Sequence, residues 1–344
     1  MKAFDFQGTP LIKTHADLSA ANTLRLPCIA ARYAEPATLG ALRQILGEAS
    51  RQQWPITLLG GGSNVLLPPA LNGLALRPRL RQLWLTREGD EVLVHVGAGV
   101  NWHALVQDVA ARGLWGIENL ALIPGDCGAA PVQNIGAYGV ELSDSLCAVQ
   151  VMELNTGKVR WLNQADCAFG YRDSVFKREL SGRVVITRLV LRLSRQPTPK
   201  LHYGDLAARL SKTPTPMDVA RAVSAIRQEK LPDPDLLANA GSFFKNPLVP
   251  DQQAHALLSR YPAMPNFPQG SGQTKLAAGW LIDQCGLKGV QEGAFGVHDR
   301  QALVLVHQGG GNREGLLHFA ERIVEQVRER FGVVLEPEPR IIQP

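Results

Sequence analysis

The stretch Leu120–Leu142 constrains this chain more than any other. It is rich in Gly, Ala, Pro and Asn, and no helical or strand period runs through it. An aperiodic connection of that length inside a compact domain is usually a functional loop. Within it, Ile123–Gly139 reads Ile-Pro-Gly-Asp-Cys-Gly-Ala-Ala-Pro-Val-Gln-Asn-Ile-Gly-Ala-Tyr-Gly. Small residues let a backbone lie against a flat ligand, and Gln133 and Asn134 offer hydrogen bonds to a heteroaromatic edge. The plainer reading is a surface Ω-loop packed on itself. A second glycine loop, Gly60-Gly61-Gly62-Ser63-Asn64, follows the apolar run Pro55–Leu59 and precedes Val65-Leu66-Leu67. Successive amides in such a turn form an anion-binding nest; the alternative is an ordinary tight turn. It is no P-loop, because no Gly-Lys-Ser/Thr follows, and Gly-x-Gly-x-x-Gly occurs nowhere in the chain. Two glycine loops in adjacent α/β units suit the grip on one long diphosphate cofactor.

Around these loops the chain reads as α+β, and 344 residues imply two or three domains. Pro36–Glu48 carries a helical stripe of Leu39, Leu42, Ile45 and Leu46. Glu91–Val96 alternates as a strand, and Asn101 caps a helix with Trp102, Leu105, Val106 and Val109 on its apolar face. Cys147–Leu154, Val159–Leu162 and Val184–Leu193 read as strands, the first two joined by the turn Asn155-Thr156-Gly157-Lys158. Pro197, Pro199, Pro214 and Pro216 mark a boundary, after which Asp218 caps a helix. Helices at Asp251–Arg260, Leu276–Cys285 and Arg313–Arg330, a strand at Ala302–Val306, a Pro-rich loop at Tyr261–Gly270 and a last strand at Gly332–Leu335 complete the pattern.

Lys plus Arg total 36 against 31 Asp plus Glu, a net charge of +5, and the basic residues form no block. That argues against a nucleic-acid arm and suits an anionic small substrate. The five cysteines are widely spaced with no Cys-x-x-Cys, so neither a disulfide framework nor a metal site is expected. The first thirty residues do not read as a signal peptide, no apolar run spans a membrane, and a cytoplasmic protein is expected.

Gly241–Pro247, Gly-Ser-Phe-Phe-Lys-Asn-Pro, is locally odd. Phe243 and Phe244 ask for burial, while Ser242, Lys245 and Asn246 set donors and a charge beside them. The bland reading is a buried turn with Ser242 satisfied by a carbonyl. The sharper one is a hydroxyl placed in a dry cleft to move a proton.

Eight segments in order carry a family resemblance. They are Leu59–Asn64, Asn119–Glu141, Phe169-Gly170-Tyr171-Arg172-Asp173-Ser174, Tyr203-Gly204-Asp205-Leu206, Lys230-Leu231-Pro232-Asp233-Pro234, Gly241–Pro247, Lys275–Cys285 and Leu335-Glu336-Pro337-Glu338. The chain resembles the UDP-N-acetylenolpyruvoylglucosamine reductase family, in its longer type with the Tyr203 insert and a lid loop. The resemblance implies an α+β protein with the vanillyl-alcohol-oxidase/PCMH-type FAD-binding fold of two α/β subdomains, plus a C-terminal substrate-binding α+β domain. The expected parts are residues 1–80 joined by 333–344, then 81–217, then 218–332. It implies non-covalent FAD, NADPH as co-substrate, and UDP-N-acetylglucosamine enolpyruvate sharing NADPH's cleft. A monomer with no nucleic-acid partner and no membrane insertion is expected.

The same resemblance assigns site residues. Arg172 matches the arginine at the substrate carboxylate, which a guanidinium fork holds in bidentate fashion; the plain alternative is an ion pair with Asp173 or another acid. Ser242 matches the proton donor and Glu338 the carboxylate that assists at the enolate. Tyr203, Lys230, Asn246 and Gln301 match positions for the sugar diphosphate and carboxylate, and Arg227 sits one turn before Lys230 on the same face. Gly60, Gly61, Gly62, Ser63, Asn64, Ile123, Pro124, Gly125, Ala129, Asn134, Ile135, Gly136, Ala137, Tyr138 and Gly139 are the expected cofactor contacts. His95, His103 and His307 match no role and read as ordinary. Ala129-Ala130 stand where the family often has small hydroxyl residues, and Phe267 where its longer type often has Tyr, in the expected lid. Two other classes stay open: a different FAD oxidoreductase of the same fold acting on a small alcohol or sugar, and a non-catalytic nucleotide-sugar binder.

Overall fold

Alternating apolar residues become a five-stranded antiparallel sheet of order Val159–Asn163, Leu146–Glu153, Val184–Ser194, Glu91–Gly97, Leu83–Glu88. The computed structural model describes residues 12–270 and 272–343. Residues 1–11, which open the expected first subdomain and the stretch read for a leader, lie outside them. The described chain divides into two compact units.

Among the described residues, the first unit comprises residues 12–16, Ile29–Gly62 and Leu71–Arg227. Both expected flavin subdomains, 1–80 and 81–217, fall largely within it. Besides the five-stranded sheet it holds a four-stranded one, of order Lys13–Asp17, Ile29–Ala34, Ala70–Leu76, Ile56–Leu58, whose last two strands run parallel. Helix α1, Leu39–Arg51, starts where Thr38 Oγ1 accepts from Ala41 N at 3.1 Å. It buries Leu42, Ile45 and Leu46 in one core with Leu74, Leu76, Met152 and Val185. Helix α2, Trp102–Ala111, is capped as expected, Asn101 Oδ1 accepting from Ala104 N at 2.9 Å. Trp102, Leu105 and Val106 join Val149, Leu189 and Leu191 in a second core.

Helix α3, Pro216–Lys230, corrects one expectation. Its cap is Thr215, whose Oγ1 accepts from Asp218 N at 3.2 Å, while Asp218 Oδ2 accepts from Thr215 N at 2.9 Å. That reciprocal pair is a capping box, so Asp218 is its returning acid rather than the cap.

The second unit comprises Asp17–Cys28, Ser63–Ala70 and Gln228–Pro344. The final segment, 333–344, which was expected to join 1–80, belongs here. Its four-stranded antiparallel sheet has the order Ala238–Ser242, Val304–His307, Phe295–Val297, Gln291–Glu292. Helices α4, Asp251–Arg260, α5, Ala278–Gln284, and α6, Arg313–Phe331, pack with Phe243 and Phe244. Two segments depart from their reading. Tyr261–Gly270 is not all loop: Asn266–Pro268 pairs with Gln273–Leu276, which also pairs with Leu248–Pro250. Phe267 therefore sits on a strand, with Lys275 Nζ 5.9 Å from its ring centre. Gly332–Leu335 forms no strand; the last one is Arg340–Ile341, parallel to Val65–Leu66.

Candidate functional site

In the first unit the two glycine loops touch. A Cβ built on Gly61 would lie 2.7 Å from Gly125 Cα, and one on Gly60 3.0 Å from Ala129 Cβ. Only glycine at 61 allows that approach of backbone to backbone. The amides of Gly60, Gly61 and Gly62 donate to no other group among the described residues, and Gly62 is buried. Buried amides need an acceptor, and three in succession suit the oxygens of a diphosphate. The long loop beside them is framed from two sides. Arg77 Nε and Nη2 donate to Asp126 Oδ2 at 3.1 and 3.0 Å; burial raises the pKa of that carboxyl and Arg77 pulls it back. On the other side, Trp102 Nε1 donates to Leu120 O at 3.0 Å, and Leu122 N donates to His103 Nδ1 at 2.9 Å. These residues fit FAD: open amides for its diphosphate and a backbone cradle of small residues for its ring.

Not every expected contact is available to a ligand. Asn134 is buried, and its Nδ2 donates to Glu141 Oε2 at 2.7 Å and Gly170 O at 3.3 Å while its Oδ1 accepts from Ser143 N at 3.0 Å. Its donors are engaged inside the protein, so Asn134 frames the loop instead of reaching a heteroaromatic edge. Ile135 and Ala137 pack with the core, and the backbone of Gly136–Ala137 pairs with Val140–Glu141. A Cβ built on Gly139 would lie 3.8 Å from Tyr203 Cβ. Pro124 and Ala129 are exposed, and Ile123 is half-buried against the core.

Arg172, at a positive φ of 53°, donates from Nη2 to Gly136 O at 2.9 Å. The neighbouring Asp173 pairs with Arg178. Arg227 lies within electrostatic reach of Arg172, and its Nε is buried with no partner among the described residues. Burial lowers the Arg227 pKa, Tyr138 opposes that, and the Arg172 charge adds to it. Two guanidinium groups beside the loop are what an anionic ligand would neutralise. Tyr138 meets Tyr203 edge-on, ring centres 5.6 Å apart, and Tyr203 is half-exposed.

In the second unit a strand bulge presents Ser242. The register slips between Asn239 and Ser242, at Gly241 with φ 69°. Asn239, which sequence reading missed, sets this bend: its Oδ1 accepts from Gly241 N at 2.8 Å, and its Nδ2 donates to Leu237 O and Pro232 O. The chain beyond Ser242 then pairs with the C-terminal segment. Glu338 N donates to Phe243 O at 2.8 Å and Lys245 N to Glu336 O at 2.9 Å. Phe243 is thereby paired with Glu338 across two segments far apart in sequence, with Ser242 one residue before Phe243. Asn64 joins them, its Nδ2 donating to Glu338 O at 3.4 Å, and Ser63 precedes it in the same unit. Phe243 and Phe244 are fully buried, edge to face at 5.2 Å. Asn246 Oδ1 accepts from Ala278 N at 3.0 Å, bracing α5. Gln301 Oε1 accepts from Leu303 N at 3.4 Å, and Lys230 is exposed at the end of α3. His307 bridges Leu24 O and Gly311 N, an ordinary structural role.

A flavin-binding oxidoreductase is the class that this fold and these loops define. Residues 30–163 match the FAD binding domain family, and residues 233–342 match the family described as UDP-N-acetylenolpyruvoylglucosamine reductase, C-terminal domain. The UDP-N-acetylenolpyruvoylglucosamine reductase of Chromobacterium violaceum is 49% identical, over 96% of this chain and 98% of that one. That of Escherichia coli K12 is 48% identical, over 86% of each. The crystal structure of the Thermus caldophilus reductase superposes with a TM-score of 0.66 at 24% identity, covering 96% of this chain and 98% of that one, and shares its fold. The chain belongs to the UDP-N-acetylenolpyruvoylglucosamine reductase family, an FAD-binding oxidoreductase family.

Proposed function

We infer that the protein reduces UDP-N-acetylglucosamine enolpyruvate to UDP-N-acetylmuramate in peptidoglycan precursor synthesis, with NADPH as the electron source. Family membership supports the reaction, and one observation supports its chemistry: Glu338 N donates to the carbonyl of Phe243, the residue after Ser242. FAD, when bound, supplies the hydride chemistry between NADPH and the enol ether of the substrate. The protein's task is the charge and proton that follow at the carbon bearing the carboxylate. In this reading Arg172 forks that carboxylate and stabilises the enolate. Ser242 Oγ delivers the proton to the carbon, with Glu338 supporting the oxygen that loses it. Tyr203, Arg227, Lys230, Asn246 and Gln301 hold the sugar diphosphate. Residues 1–80 and 81–217 serve the flavin, while 218–332 serve the substrate.

An oxidase with a covalent flavin is disfavoured. Cys127 is the one cysteine in the long loop, and it is wholly buried, with burial pushing its thiol far above the ordinary range. Among the described residues no helix is long and apolar enough to cross a membrane. The proposal includes a cytoplasmic monomer, which gel filtration tests in part. The reaction itself is tested by an absorbance spectrum taken first on NADPH addition and then on substrate addition. The flavin band should bleach and then return; a protein that cannot be reconstituted with flavin would end the reading.

A further inference from the structure

The cofactor loop hangs on the junction Ala98–His103 by six hydrogen bonds, one of them from Asn101 Nδ2 to Gly125 O at 3.4 Å. Gly128 N donates to Ala98 O at 2.8 Å, Cys127 N to Val100 O at 2.8 Å, and Trp102 N to Gly125 O at 3.0 Å. Trp102 Nε1 donates to Leu120 O, and Leu122 N donates to His103 Nδ1 at 2.9 Å. Five of the six use groups with no proton to gain near neutral pH. The sixth, from Leu122 N to His103 Nδ1, needs a ring nitrogen lone pair, and so an imidazole that is neutral with its hydrogen on Nε2. It falls where the loop is under strain. Leu122 has φ 58°, a left-handed conformation that a residue with a Cβ adopts reluctantly. Leu122 leads directly into Ile123-Pro124-Gly125, and Gly125 is the residue against which Gly61 packs.

We propose that His103 is a positioning residue for the cofactor: as a neutral imidazole it pins Leu122 and so holds the loop in the shape that receives FAD. The proposal rests on the reading of this loop as the flavin seat. A protonated ring has no lone pair at Nδ1, so the Leu122 amide loses its acceptor and the strained turn its restraint. The charged group facing His103 is Arg227 on α3, which stays charged throughout the range and does not itself titrate. Burial first, and the Arg227 charge second, lower the His103 pKa, so the neutral form is the resting one. Because the pKa is lowered on folding, the contribution is complete above the ordinary histidine value of about 6.5 and is lost as pH falls through the folded value.

The test is an FAD titration of the apoprotein, followed by flavin fluorescence, between about pH 8 and about pH 5. Wild type is compared with His103→Asn, whose amide oxygen takes the place of Nδ1 without titrating, and with His103→Ala. Wild type should lose about tenfold in affinity, relative to His103→Asn, as pH falls below about 6.5. His103→Ala should be about tenfold weaker at every pH, the scale of one lost hydrogen bond, with His103→Asn near the wild-type alkaline value. Equal pH profiles for wild type and His103→Asn, or an alanine variant that binds as wild type, overturn the proposal. No flavin binding by any of the three proteins at any pH would instead remove the cofactor reading, and this proposal with it. In the apoprotein, imidazole nitrogen shifts should report a neutral ring protonated at Nε2 near pH 7; an Nδ1-protonated ring contradicts the geometry.

Discussion

Gly61→Ala isolates the contact between the glycine loops. The new Cβ would stand 2.7 Å from Gly125 Cα, 3.4 Å from Gly125 C and 3.5 Å from Asp126 N. All three obstacles are backbone, so no side-chain rotation relieves the overlap. Gly61 itself has no positive φ, which leaves the clash as the cause rather than strain at residue 61. Overpacking of this kind typically costs about 1–3 kcal/mol. The apoprotein escapes part of it by letting the loops part, but bound FAD needs them together. The cost therefore appears mainly in binding, as a loss of about 5- to 150-fold in FAD affinity. The assay is a fluorescence titration with FAD, beside thermal unfolding of the apoprotein. Gly47→Ala is the control: it lies in α1 with nothing within 4 Å of a built Cβ, and helix propensity predicts about 1 kcal/mol of added stability with unchanged FAD affinity. If Gly61→Ala binds FAD as tightly as wild type, the two loops do not jointly form the cofactor seat.

Two further substitutions probe the frame around the site. Thr215→Ala removes the cap of α3 and should lower stability by about 1 kcal/mol; an unchanged urea midpoint would show that the capping box contributes nothing. Glu118 is buried, accepts from Gly116 N at 2.6 Å, and has its pKa raised by burial above its ordinary 4.5. A raised carboxyl stabilises below that value and loses its contribution as pH rises through the folded one. Wild type should therefore lose stability relative to Glu118→Gln as pH rises from about 4 to about 8, and urea midpoints that stay parallel contradict this.

Much of this was legible in the sequence because its cause is local. Asn101 caps α2, the stripe Leu42, Ile45 and Leu46 buries one face of α1, and Phe243 and Phe244 fill a core. The misreadings share a different cause, partners far away in sequence or reciprocal bonds. Gly332–Leu335 has a strand's composition, but the register available to Val65–Leu66 is taken by Arg340–Ile341. The prolines around Phe267 suggested a loop, yet an edge position tolerates them, and the partner strand begins at Gln273. Asn134 carries the groups a ligand would want, and only the fold reveals that Glu141, Gly170 and Ser143 use them first. His103 read as ordinary and Asn239 drew no reading because their value lies in the backbone amide each one holds, at Leu122 and at Gly241. An Asn two residues before a Gly at a strand end was the available signal for the second.

The central claim, that Ser242 is the proton donor of a flavin reductase, is tested most directly by the two half-reactions of Ser242→Ala in a stopped-flow spectrometer. NADPH should bleach the flavin at the wild-type rate, and the return of the band on adding the enolpyruvyl nucleotide should slow by about 10²- to 10⁴-fold, the range of general acid catalysis. Equal slowing of both half-reactions, or a wild-type rate in the second, would contradict the assignment.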